Sequence, residues 1–285
     1  MLLLIALFLI NMPINVVAKP PAGQEWQLVL NEEFNKPLDP GLWNKGIDNN
    51  RISYKRSKCF FLARNVFVKN GNLNLVVKKE KLSRYDKNGK KKKLKYSCGM
   101  AQTLKKFRQR YGYFEARIKL PAARGLSTAF WMMPDRSIGK QTPFIKGIRS
   151  TKIINDSTEF INGQGMELDI MEYLTQWKRK KIHYAAHWDG YANDLKSHRG
   201  YYKPDGKKFA DDYHIFALLW QPNLLVWYMN GQEVSRLESS RVSDVASYLI
   251  LSTNLGGWAT WRRETDKMPE KMLVDYVKVW KKADI

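Results

Sequence analysis

Along most of its length the chain is written in short runs that alternate apolar and polar residues, rich in Val, Ile, Tyr, Phe and Trp and cut by Gly, Asn, Asp and Pro. A two-residue period sends successive side chains to opposite faces of an extended strand, so each run is half buried and needs pairing partners. Candidate strands are Tyr113 to Leu120, Ala129 to Met133, Glu167 to Tyr173, His183 to His187, His214 to Trp220, Tyr248 to Asn254 and Met272 to Trp280. Asn70-Gly71 between Asn65–Val68 and Leu73–Val77, and Asn230-Gly231 between Leu224–Met229 and Glu233-Val234, predict hairpins, because these dipeptides tolerate the positive φ of a tight turn. Long amphipathic helical patterns are nearly absent and no repeat is visible. The expectation is an all-β sandwich or barrel, and 285 residues suit one such domain. The polar, irregular stretch from Arg136 to Gln164 reads as a long loop.

Residues 1–18 begin with an apolar stretch, Leu2 to Ile10, and end at Val16-Val17-Ala18 before Lys19-Pro20-Pro21. The run is short for a membrane span and suits a signal peptide, so residues 19–285 are read as one exported domain, secreted or periplasmic. No stable membrane insertion is expected. Export permits Cys59 and Cys98 to oxidise, with two buried thiols as the alternative. The formal charge of +22 admits nucleic acid, an anionic surface or an acidic substrate as partner. Its densest cluster, Lys87 to Lys95 around Asn88-Gly89, lies between strand-like runs and reads as a solvated hairpin tip. No helix carries a basic stripe, so nucleic acid is not the expected partner.

The run Glu167-Leu168-Asp169-Ile170-Met171-Glu172-Tyr173 sets three acids into an otherwise apolar strand. Glu167 and Asp169 share a face by parity, and Glu172 falls on the other face of a regular strand. A β-bulge at Ile170 and Met171 returns Glu172 to their side. Carboxyls crowded together cannot all ionise cheaply, so at least one proton is held tightly. Two such groups are what glycoside hydrolysis needs, one as nucleophile or base and one as proton donor. Clustered carboxylates also suit a hard cation, although the loop-type Asn, Asp and Gly of calcium sites are missing here.

At this strand the sequence resembles glycoside hydrolase family 16, in its members with a bulged Glu-x-Asp-x-x-Glu motif. The resemblance runs in order through Asn31-Glu32-Glu33-Phe34-Asn35, Leu38-Asp39, Trp43, Asn65-Val66 and Gly71-Asn72-Leu73. It continues through Tyr111 to Pro121, Ala129-Phe130-Trp131, His214 to Trp220, Trp227 to Gly231, Asn254 to Gly257 in part, and Val274 to Val279. The family implies a β-jelly-roll of two antiparallel sheets with a concave glycan cleft. It also implies retention of configuration, with Glu167 as nucleophile, Glu172 as acid/base and Asp169 assisting. Trp131 is similar to the family's sugar-stacking tryptophan, His187 and Trp188 occupy a cleft-lining strand, and Trp258 is a further candidate. No cofactor is required for catalysis, and the family's structural calcium maps onto Glu33, Gly71 and Asp275.

The motif's style is similar to that of laminarinases, so the expected partner is a polysaccharide, a β-1,3 or mixed-linkage glucan, cut internally by a monomer. Arg124-Gly125-Leu126-Ser127-Thr128 lacks the Trp that many laminarinases carry before Ala-Phe-Trp. A sulfated galactan such as porphyran, agar or carrageenan is the alternative, favoured if Arg108, Arg110, Arg124 or Lys178 to Lys181 line the cleft, because a guanidinium grips sulfate through paired hydrogen bonds. A transglycosylase, or a glycan-binding protein without activity, would share the fold.

Overall fold

The computed structural model describes residues 19–47, 57–85, 88–135, 165–175, 181–188, 196–203, 209–256, 259 and 265–283. The stretches read as a leader and as a long loop, Lys178 to Lys180 and Trp258 lie outside them. The strands are β1 (Trp26–Glu32), β2 (Asn44–Lys45), β3 (Phe60–Phe61), β4 (Val66–Lys69), β5 (Asn72–Tyr85), β6 (Lys91–Gln102), β7 (Gly112–Lys119) and β8 (Leu126–Pro134). They continue with β9 (Glu167–Leu174), β10 (Ile182–Trp188), β11 (Lys196–Tyr202), β12 (Tyr213–Gln221), β13 (Leu224–Met229), β14 (Gln232–Glu238), β15 (Ser247–Leu255) and β16 (Glu270–Lys282). Helix among the described residues is limited to two 3₁₀ turns, Ala63–Asn65 and Thr265–Lys267. None of it is long and apolar enough to cross a membrane.

The strands follow the order β11-β10-β9-β8-β15-β6-β5-β16-β7-β12-β13-β14. Two long strands join the layers. On β5, Leu73 to Val77 pair with β16 and Lys78 to Tyr85 with β6, while on β6 Gly99 to Gln102 pair with β15. The ribbon therefore folds over at β5 and β6 into the expected jelly-roll sandwich. One core fills the space between the layers: Phe130, Met132, Leu168, Met171 and Leu251 meet Phe114, Ile118, Phe216, Leu218 and Val277. Trp227 of β13 crosses this core, its Nε1–H donating to the Asp169 carbonyl at 2.9 Å. Trp220 is likewise fully buried, as its place in a packing pattern implies.

Both Asn-Gly hairpins form as expected, with φ of 53° and 66° at Asn70 and Gly71 and of 50° and 80° at Asn230 and Gly231. Of the lysine-rich run, the residues of β6 pair with β5 at the outer end of the β5–β6 ladder, with Lys90, Lys91, Lys93 and Lys95 exposed. Cys59 and Cys98 are joined in a disulfide across 39 residues. It lies in a second, smaller apolar cluster with Phe61, Met100, Leu126 and Ile250, against which Trp131, Met133 and Tyr248 pack from the side.

Candidate active site

β9 carries the three acids, and its pairing on both sides contains the irregularity that parity requires. Against β8, Ala129 faces Glu172 and Phe130 faces Met171, but Trp131 faces Asp169, so Ile170 is the extra residue. Against β10, His183 faces Glu172, Ala185 faces Asp169 and His187 faces Glu167. The bulge lets both Ile170 and Met171 enter the main core. It also puts Glu167, Asp169 and Glu172 on the opposite side, the side that carries Ala129 and Trp131.

Each of the last two acids meets an imidazole from β10. His183 Nδ1 lies 2.6 Å from Glu172 Oε2, and His187 Nε2 lies 3.3 Å from Asp169 Oδ2. Asp169 is the most enclosed of the set, its side chain only 4% exposed. Burial raises its pKa well above the usual carboxylate value, and the neighbouring Glu172 and Glu167 charges raise it further. Asp169 is thus biased toward its protonated form between two glutamates. His187 is pushed the other way, toward the neutral form, mainly by burial, with His183 and Arg199 adding to that and Glu172 opposing it. Its Nδ1 has no hydrogen-bond partner among the described residues. Donor atoms of Glu167, Asp169 and His187 lie within 4.8 Å of one another, so one small reacting centre can touch all three.

The other expected site residues divide. Trp131 is half-buried on the acid-bearing side, its Nε1–H held by Ser252 Oγ at 3.2 Å. That leaves an indole beside Asp169 with its orientation fixed. Trp188 is not brought to the acids: strand alternation turns it away from His187, and it packs against the main core. Glu33, Gly71 and Asp275 do not form a calcium cage. Lys278 Nζ stands 2.7 Å from Glu33 Oε1, Arg117 Nη1 stands 2.7 Å from Asp275 Oδ2, and the cavity at Gly71 is lined by Lys36, Lys45 and Lys69. Each carboxylate of the set already carries a basic partner.

Three residues of the site carry no signal in the sequence that singles them out. His183 meets Glu172 through strand register alone. On β11, Tyr201 faces His183 and Arg199 faces Ala185, which sets both on the acid-bearing side, and both are exposed. The Lys181 ammonium sits 4.2 Å from the Tyr201 ring centroid. Arg108 approaches Asp135 at 3.7 Å and Arg110 lies over Tyr111 at 5.4 Å, so each is engaged elsewhere. Arg124 is half-buried in the loop before β8.

A sandwich with three carboxyls on the solvent side of one sheet is an architecture of glycoside hydrolases, and comparison with known proteins agrees. The model described as Beta-porphyranase A-D, GH16 domain matches residues 26–282. The chain belongs to glycoside hydrolase family 16. It is 26% identical to glucan endo-1,3-beta-glucosidase A1 of Niallia circulans over 92% of this chain and 39% of that protein. It is 29% identical to keratan-sulfate endo-1,4-beta-galactosidase of Sphingobacterium multivorum over 65% of this chain and 40% of that protein. The chain thus spans about two fifths of the length of each of these relatives. Among solved structures it is similar to the catalytic domain of an endo-1,3-beta-glucanase (laminarinase) from Thermotoga petrophila RKU-1, with TM-score 0.70 and 26% identity over 92% of this chain and all of that one.

Proposed function

We propose that the chain is a retaining endo-β-glycanase that cuts a β-1,3 or mixed-linkage glucan at internal bonds. The observation that carries this reading is the bulge at Ile170, which sets Glu167, Asp169 and Glu172 on one side of the sheet. In the first step the Glu167 carboxylate attacks the anomeric carbon as the glycosidic bond breaks, and the leaving oxygen takes the proton of Glu172. In the second step Glu172 accepts a proton from water, whose oxygen displaces Glu167 from the anomeric carbon. Protonated Asp169 shares its hydrogen with the leaving Glu167 carboxylate. Carboxyl chemistry of this kind calls on no cofactor. Trp131 offers a sugar-stacking face one strand away. We further infer export behind a leader over residues 1–18 and action as a monomer.

The glucan reading is supported by relatives named for 1,3-β-glucan cleavage. A second reading, a sulfated β-galactan, is favoured by the porphyranase description of the matching family model and by exposed Arg199, which has no ion pair among the described residues. The test is release of reducing ends from laminarin, mixed-linkage glucan, agarose, porphyran and carrageenans by the wild type and Glu167→Gln. Activity on laminarin that is lost in the variant supports the first reading. Activity confined to porphyran or carrageenan, and weakened in Arg199→Gln, replaces it with the second. New reducing ends also separate hydrolysis from transglycosylation, which conserves their number.

A further inference from the structure

Among the described groups around the acids, His183 makes a short contact with Glu172, and the proposed chemistry assigns it no part. It faces Glu172 directly across the β9–β10 ladder, with Nδ1 at 2.6 Å from Oε2. Both side chains are mostly enclosed, 12% and 18% exposed. On its other side the imidazole lies against Tyr201, ring centroids 5.2 Å apart at 48°, and Tyr201 in turn lies beneath Lys181. His183 is thus wedged between a carboxyl and an aromatic ring, with little freedom to turn. The titratable and charged groups facing this pair are Glu167 and Asp169 from β9, His187 and Lys181 from β10 and the segment before it, and Arg199 and Tyr201 from β11. His187 stands over Asp169, so the two histidines serve different acids.

We propose that His183 is the positioning residue of Glu172: it holds Oε2 by an Nδ1–H hydrogen bond and so turns Oε1 toward the glycosidic oxygen. The inference rests on the reading of Glu172 as the acid/base. Glu172 must begin the cycle protonated and become a carboxylate as the leaving oxygen takes its proton. A fixed N–H donor stabilises that carboxylate as it forms and needs no reorganisation at the moment of transfer. The bond to Oε2 also keeps the carboxyl in one rotamer, and small errors in such alignment cost large factors in rate. When water returns a proton to Glu172, the same contact holds the receiving oxygen in place.

The test compares His183→Ala and His183→Asn in the full chain, on whichever of laminarin, mixed-linkage glucan, agarose, porphyran and carrageenan the wild type cleaves. Asn keeps an N–H close to the Nδ1 position. His183→Ala is expected to lower kcat by about 10- to 100-fold with KM changed less than about twofold. His183→Asn should recover most of the lost kcat. The proposal is overturned if His183→Ala keeps the wild-type kcat, or if only KM rises. A folded His183→Asn as slow as His183→Ala overturns it as well, which keeps the test decisive if the alanine variant does not fold. Failure of the underlying reading is seen separately: Glu172→Gln would then keep its activity on the natural polysaccharide.

Discussion

Replacing Asp169 by Asn should make the protein more stable and less active, and the size of the gain should depend on pH. Asp169 is only 4% exposed and lies between Glu172 and Glu167, whose charges disfavour a third negative charge. Its folded-state pKa is raised, so over a window of pH the folded chain keeps a proton that the unfolded chain has released. Stability contributed by this group is then lost as pH rises from the unfolded value, about 3.9, through the raised one. Asn has the same shape and no charge, and its amide would sit where Asp169 Oδ2 now lies 3.3 Å from His187 Nε2. Relief of an enclosed, imperfectly paired polar group amounts to about 1–3 kcal/mol. At about 2–4 °C of Tm per kcal/mol for a chain of this class, the gain at neutral pH is several degrees. Thermal melts of both proteins from acid to neutral pH would measure it. The curves should converge below about pH 4, where both states of the wild type carry the proton, and separate as pH rises. kcat should fall at least about tenfold, since Asn cannot share a proton with Glu167. A variant less stable than the wild type at neutral pH, or a difference in Tm independent of pH, would refute the argument that Asp169 is held protonated at a cost.

Trp227→Phe should destabilise the fold by about 1–3 kcal/mol, because it leaves the Asp169 carbonyl without its buried donor at the bulge; urea unfolding would show the loss, and unchanged stability would contradict it. Closing a loop of 39 residues is worth about 4 kcal/mol in chain entropy, so Cys59→Ala with Cys98→Ala should lower the urea midpoint by a matching amount. Trp131→Ala should raise KM for the cleaved polysaccharide by about tenfold and change kcat less, as steady-state kinetics would report. Millimolar calcium should leave Tm unchanged, since Lys278 and Arg117 already occupy the Glu33 and Asp275 carboxylates; a clear rise would show that these ion pairs open to admit the metal.

Much of the sandwich is legible in the chain because the local signals are physical ones: two Asn-Gly turns with positive φ, and strands whose apolar faces can only be satisfied by a second layer. The acid strand is legible for a sharper reason. Three acids among Leu, Ile and Met share a face only if the strand is bulged, and the pairing of β9 contains that bulge. What the chain does not announce depends on register. His183 is eleven residues from Glu172, and nothing in that spacing reveals a hydrogen bond. β11 reads Lys196-Ser197-His198-Arg199-Gly200-Tyr201-Tyr202, too polar to be recognised as a strand, because among the described residues it ends the sheet order and pairs with β10 alone. Trp188 fails as a cleft residue for the converse reason: one step along a strand reverses its side.

The claim that Glu167 and Glu172 act as a nucleophile and acid/base pair has a direct test in the anomer first released. Proton NMR of oligosaccharide products, taken in the first minutes before mutarotation, should show the new reducing end in the β configuration of the bond that was cut, and Glu167→Gln should release none. An α anomer as first product would mean that water attacks directly, and would remove Glu167 from the role of nucleophile.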